Sequence, residues 1–229
     1  MEPTAPMIRR TLMLGALLTL AQAADAQTNA PLVEAARRGD LPQVRALLRA
    51  GTDVEQRDAD GRTAVLAATA GQHLEVVREL IARGANVNAQ DHQRDSAFLL
   101  AGARGYTEIV RATLAAGADL KSTNRYGGTA LIPACHYGHV ETVRLLLTTA
   151  IDVNHVNNLG WTGLLEAVIL GDGGPAHTEI VRLLLAHGAD PALADREGVT
   201  PLAHARRRGQ REVADLLARH AAVPVPSRR

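Results

Sequence analysis

Cys135, His136 and His139 are the residues whose types and spacing come nearest to reactive chemistry. A thiol beside an imidazole is how a cysteine nucleophile meets its base, and one Cys with two His is part of a metal-ligand set. Their setting argues for a plainer role. His139 follows a glycine, as in the turn that carries His73, so it reads as a structural hydrogen-bonder. Cys135 lies where a small core residue is needed, so its thiol should be buried. It is the only cysteine, which rules out an internal disulfide. No phosphate-binding loop, HExxH or GxSxG is present. No catalytic residue, metal or cofactor is therefore expected.

The elements that hold these residues recur. A five-residue phrase stands at Gly51–Glu55, Gly84–Asn88, Gly117–Lys121, Ala150–Asn154 and Gly188–Ala192, at steps of 33, 33, 33 and 38 residues. A period of this size means stacked supersecondary units, each burying its apolar face against the next. Composition agrees. Of the 229 residues 46% are hydrophobic but only 2% aromatic, which suits thin layers of Ala- and Leu-rich helices. A net charge of +1 implies neither nucleic acid nor an anionic membrane as partner.

Between phrases the order is constant: D/N-x-x-G-x-T, a short Ala/Leu run, a glycine, then a second apolar run. Asp or Asn with Gly makes a tight turn. Thr63, Ser96, Thr129, Thr162 and Thr200 stand where a helix N-cap is needed. Gly105, Gly138 and Gly209 separate the two helices, and Gly84, Gly117 and Gly188 end the second. The second helix carries apolar residues at i, i+1, i+4 and i+5.

This unit resembles the ankyrin repeat, a β-turn followed by two antiparallel helices, over roughly Pro31 to His220. The stretches Gly127–Cys135 and Gly160–Ala167, with Gly171–Gly174, are also similar to a family of small bacterial ankyrin-repeat proteins. The resemblance implies an all-α solenoid of helix-turn-helix units with β-turn or hairpin tips. The chain departs from the family's T-P-L-H pattern. Only Thr200-Pro201-Leu202 keeps the proline, and Leu66, Leu99, Ile132, Leu165 and Ala203 fill the histidine position. Arg94 replaces a turn glycine, so that hairpin should be distorted.

Residues 1–26 read as an export signal: Arg9 and Arg10, an apolar run over Thr11–Ala21, and small-x-small cleavage sites ending at Ala23 and Ala26. The run is too short for a bilayer span of about 20 residues. A periplasmic location is expected, with secretion as the alternative and the export route open. A capping repeat over 27–57 then precedes repeats at 58–90, 91–123, 124–156 and 157–194. A C-terminal cap spans 195–220 and a disordered tail 221–229. Capped ends favour a monomer.

In ankyrin arrays partners mostly meet the turn tips and the exposed side of each first helix. On these positions fall three of the chain's five aromatic residues, Tyr126, Tyr137 and Trp161. Hot spots favour Trp, Tyr and Arg, so Arg125, Tyr126, His136, Tyr137, Leu159 and Trp161 form the expected partner-binding patch. The alternative is that Tyr126 and Trp161 pack together and only stiffen the stack. Five extra residues within Asp172–Ala176 read as a loop; Glu166 could anchor a basic partner residue or bond that loop's backbone, and the second is expected. The role implied is a non-catalytic scaffold binding a protein through its concave, turn-tip surface. Protection of an exported enzyme, or action as a secreted effector on host proteins, are alternatives.

Overall fold

The computed structural model describes residues 30–221; the segment read as an export signal and nearly all of the expected tail lie outside them. Helices come in antiparallel pairs. They are α1 (Pro31–Arg37) with α2 (Leu41–Arg49), α3 (Ala64–Ala70) with α4 (Leu74–Ala82), and α5 (Ala97–Arg104) with α6 (Thr107–Ala115). Then follow α7 (Leu131–His136) with α8 (Val140–Leu147), α9 (Gly163–Ile169) with α10 (Pro175–Ala186), and α11 (Pro201–Arg207) with α12 (Arg211–Ala221). Odd-numbered helices stack on one another in one layer, and even-numbered helices stack in a second.

The layers bury different amounts because the sequence differs. The first helices are short and Ala-rich and sit between two neighbours, so Ala64–Thr69 of α3 and Gly163–Val168 of α9 are buried throughout. The second helices bury one stripe, such as Val76, Val77 and Leu80 of α4. Each turn is closed by its Asp or Asn. The Oδ1 of Asp58, Asp91, Asn124, Asn157 and Asp195 accepts the N–H groups two and four residues on.

Repeats are also stitched to each other. The Nδ2 of Asn88 donates to the Gly117 carbonyl at 3.0 Å, and that of Asn154 to the Gly188 carbonyl at 3.1 Å. His73, just before α4, bonds the Arg37 carbonyl at 3.2 Å, and His177, in the first turn of α10, bonds the His136 carbonyl at 2.8 Å. His139 bonds the backbone of Ala103, and Gln210 donates to the Val168 carbonyl at 3.0 Å.

Four local expectations need correction. Arg94 does not distort its hairpin. It takes the left-handed conformation, φ 61°, and keeps the bond to Asp91 at 2.9 Å, so the backbone tolerates the strain. Thr63, Ser96, Thr162 and Thr200 cap their helices, but Thr129 does not. Pro133 lacks the N–H that would bond the Thr129 carbonyl. The Ile132 N–H takes that carbonyl instead at 3.3 Å, leaving the buried Thr129 hydroxyl without a partner. The five extra residues are only partly a loop: Pro175 and Ala176 open α10, which runs 12 residues where α8 runs 8. Ala221, expected in the tail, ends α12.

Helix α8 ends without the left-handed glycine that follows α2, α4, α6 and α10. Elsewhere the N–H beyond the glycine returns to the helix, as from Ala85 to the Leu80 carbonyl at 3.0 Å. Ala150 holds the glycine position after α8. There Thr148 and Thr149 donate their hydroxyls to the Leu145 and Leu146 carbonyls, and the Ile151 N–H turns to Thr149 Oγ1 at 3.2 Å.

Candidate functional site

A groove of ≈ 860 Å³ runs along the inner face between the turn tips and the ends of α5, α7 and α9. Its exposed apolar residues occupy two structurally equivalent positions in successive repeats. Tyr126 and Leu159 are each second after the Asn that closes a turn, and their N–H groups are held by Asn124 and Asn157 at 2.9 Å. Tyr137 and Leu170 each follow the last residue of a first helix. The four are 54%, 50%, 59% and 42% exposed in the order named, on an array whose other large apolar side chains are mostly buried.

Five of the six expected patch residues line this groove: Arg125, Tyr126, His136, Tyr137 and Leu159. Arg125 lies over the Tyr126 ring at 4.7 Å and reaches Asp95 at 3.7 Å. Tyr137 stacks on His136 with centroids 4.1 Å apart. Trp161 is half-buried, does not line the groove, and forms no aromatic pair with Tyr126 among the described residues. Leu170 and Glu166 join the groove without having been placed in the patch; the signal for Leu170 was its position 33 residues after Tyr137.

Glu166 corrects another expectation. Its carboxylate does not bond the inserted segment; Oε1 accepts from Asn157 Nδ2 at 2.9 Å. The neighbouring C-terminal unit makes the same link with other chemistry, His204 Nε2 to Asp195 Oδ2 at 2.6 Å. The extra residues are satisfied by Asp172, whose Oδ1 accepts from the Gly174 N–H and meets His177 Nδ1, both at 2.8 Å.

The groove is poised close to neutrality. Burial pushes Glu166 up to about 7 against the opposing effect of the Asn157 bond. Burial, with His177 nearby, lowers His136. Each is thus shifted toward its neutral form across their 3.7 Å contact. Burial raises Asp95, with Asp91 adding to it.

Cys135 is fully buried, and its thiol is held far above the ordinary range by burial and then by Glu166. A buried, protonated thiol is neither nucleophile nor ligand. Among the described residues no three His, Cys, Asp or Glu side chains converge on a metal-sized point. No described helix is long and apolar enough to cross a membrane.

The sequence matches the family model for ankyrin repeats (3 copies) over residues 13–91, 32–123, 98–195 and 159–226. Across 52 residues it is 56% identical to the putative ankyrin repeat protein YahD of Escherichia coli (strain K12), a match that spans 23% of this chain and 26% of that protein. The ankyrin repeat domain ABAYE2397 of Acinetobacter baumannii AYE is 53% identical, with a TM-score of 0.81 over 83% of this chain and 97% of its own. The ankyrin repeat protein EF0377 is 39% identical, with a TM-score of 0.79 over 82% of this chain and 96% of its own.

Proposed function

We propose that this chain, which belongs to the ankyrin-repeat family, is a non-catalytic scaffold that binds another protein in the groove of its third and fourth turns. One observation carries the reading: Tyr126, Tyr137, Leu159 and Leu170 are all exposed on one concave surface. Exposed apolar side chains gathered in one place mark contact sites, and singly scattered ones do not. A Tyr-rich centre flanked by Arg125 has the composition of a binding hot spot. Turns fixed by side-chain hydrogen bonds lose little ordering entropy when a partner docks.

We place the mature chain in the periplasm. The support is sequence: Arg9-Arg10, the apolar run to Ala21 and the alanine-rich cleavage region that follows. Fractionation of cells making the tagged full chain should put a shortened product in the periplasmic extract. Recovery from the medium would favour secretion.

The binding role is tested by affinity capture from that compartment. The native chain is compared with a Tyr126→Ala, Tyr137→Ala variant that still melts cooperatively. A protein captured by the native chain and lost with the variant supports the groove. Equal capture by both would move the contact elsewhere on the array.

A further inference from the structure

We propose that Glu166 is the specificity anchor of this groove and selects a partner segment that inserts an arginine or lysine side chain among apolar residues. The inference rests on the binding role just given and adds the chemistry of the occupant.

Three carboxylate side chains are buried among the described residues, those of Asp91 and Asp195 at 4% exposure and that of Glu166 at 9%. Asp195 is engaged on both oxygens, Oδ1 accepting from the Glu197 and Val199 N–H groups and Oδ2 meeting His204, while Asp91 Oδ1 accepts from Gln93 and Asp95 and its Oδ2 lies 3.6 Å from the permanently charged Arg62. Glu166 is engaged on one oxygen. Its Oε1 has the Asn157 bond, while the nearest cationic group to Oε2 is His136 Nδ1, at 3.7 Å, beyond hydrogen-bond reach. Oε2 is not among the buried unpartnered atoms of the described chain; it opens onto the groove, so a ligand can supply a donor to a carboxylate that is otherwise largely buried.

Its surroundings suit a long cationic side chain. On one side His136 carries the stacked Tyr137 ring; on the other Asn157 carries the Leu159 backbone. Both outer side chains are half exposed. The stem of an Arg or Lys would lie on these surfaces and its head would reach Oε2. Elsewhere the groove lining holds two arginines, Arg104 and Arg125, and one carboxylate, Asp95. Arg104 is exposed, and Arg125 is engaged by Asp95 and the Tyr126 ring. Charge therefore directs a partner's basic residue to Glu166.

The test uses a phage-displayed library of random dodecapeptides panned on the full chain. Selected peptides are then measured by fluorescence anisotropy on the native protein, Glu166→Gln and Tyr137→Ala. A neutral citrulline form of each arginine peptide is measured beside it. Peptides that need Tyr137 should share one basic residue flanked by apolar ones. Their affinity should fall at least about tenfold on Glu166→Gln. The citrulline peptide should lose the same factor on native protein and little more on the variant. Because that change lies in the peptide, it reads the contact even if the protein variant is destabilised. Groove-bound peptides without a basic residue, or citrulline peptides that bind as tightly, would overturn the anchor and leave the binding role intact. A library yielding no Tyr137-dependent peptide would overturn both.

Discussion

Pro133 stands four residues after Thr129 and deprives it of a cap bond: the Thr129 carbonyl holds the Ile132 N–H, and the buried hydroxyl is left with nothing. In the other repeats the third N–H of the helix reaches the hydroxyl, as from Leu165 to Thr162 at 3.2 Å. The repeat that carries most of the groove is thus the only one of the four full repeats whose first helix lacks a side-chain cap.

Replacing Pro133 with Ala should restore both bonds. The gain is about 1 kcal/mol, reduced by the greater freedom of the unfolded chain. Thr129→Val should be nearly neutral in the native background and cost about 1 kcal/mol more once Pro133 is Ala. Urea unfolding of the four proteins measures this coupling, and its absence would show that Pro133 is not what idles the hydroxyl.

Glu166 should make stability fall as pH rises. Folded, it keeps its proton to about pH 7; unfolded, it releases it near the ordinary 4.5. Between these values the folded state binds more protons. The penalty is absent below pH 4.5 and complete above 7, where it reaches roughly 2–3 kcal/mol. Urea midpoints taken from pH 5 to 8 should slope downward for the native chain. They should flatten for Glu166→Gln, which keeps an acceptor for Asn157.

The groove residues should separate binding from stability. Tyr137→Ala and Leu159→Ala remove half-exposed side chains and should shift unfolding by no more than about 0.5 kcal/mol while weakening the partner complex. Trp161→Ala should do the reverse, costing about 1–2 kcal/mol with a smaller effect on capture. A Trp161 variant that melts normally yet loses the partner would return Trp161 to the contact surface.

Gln72 and Arg94 hold left-handed backbone, with φ of 59° and 61°. Changing each to Gly should stabilise the array by up to about 1 kcal/mol, less the entropy glycine adds to the unfolded chain. A loss of stability at Arg94 would mean that its side-chain contact with Thr123 outweighs the strain.

The repeat phrase made the architecture legible because each of its residues has a backbone task. Asn88 and Asn154 bridge to the next repeat, and the Asp-x-x-Gly residues close the turns. The patch was legible in part, since Tyr126 and Tyr137 are large residues at positions that repeats leave exposed. Trp161 lies outside the groove lining: its backbone pairs with Asn157 in the turn, and its side chain is half-buried. Glu166 was hidden because its bond runs nine residues back to its own turn, whereas the inserted segment is closed by Asp172. The idle Thr129 cap was hidden because one missing N–H at Pro133 redirects another, a competition between two acceptors that spacing does not reveal.

The ladder of side chains at the starts of the second helices has one missing rung. His73, His139, His177 and Gln210 each reach back to a backbone group of the preceding repeat, but at that position Tyr106 contributes an apolar ring packed on the core. Between the helix pairs α3–α4 and α5–α6 the plane therefore lacks this polar rung and is held by apolar contact, turn bonds, the two Asn88 side-chain bonds and the Arg62–Asp91 contact. In native-state hydrogen exchange the chain should open as two blocks parting at that plane, with the groove wholly inside the C-terminal block. A pull on the N-terminal end would then be relieved at Tyr106 before it reached the binding surface.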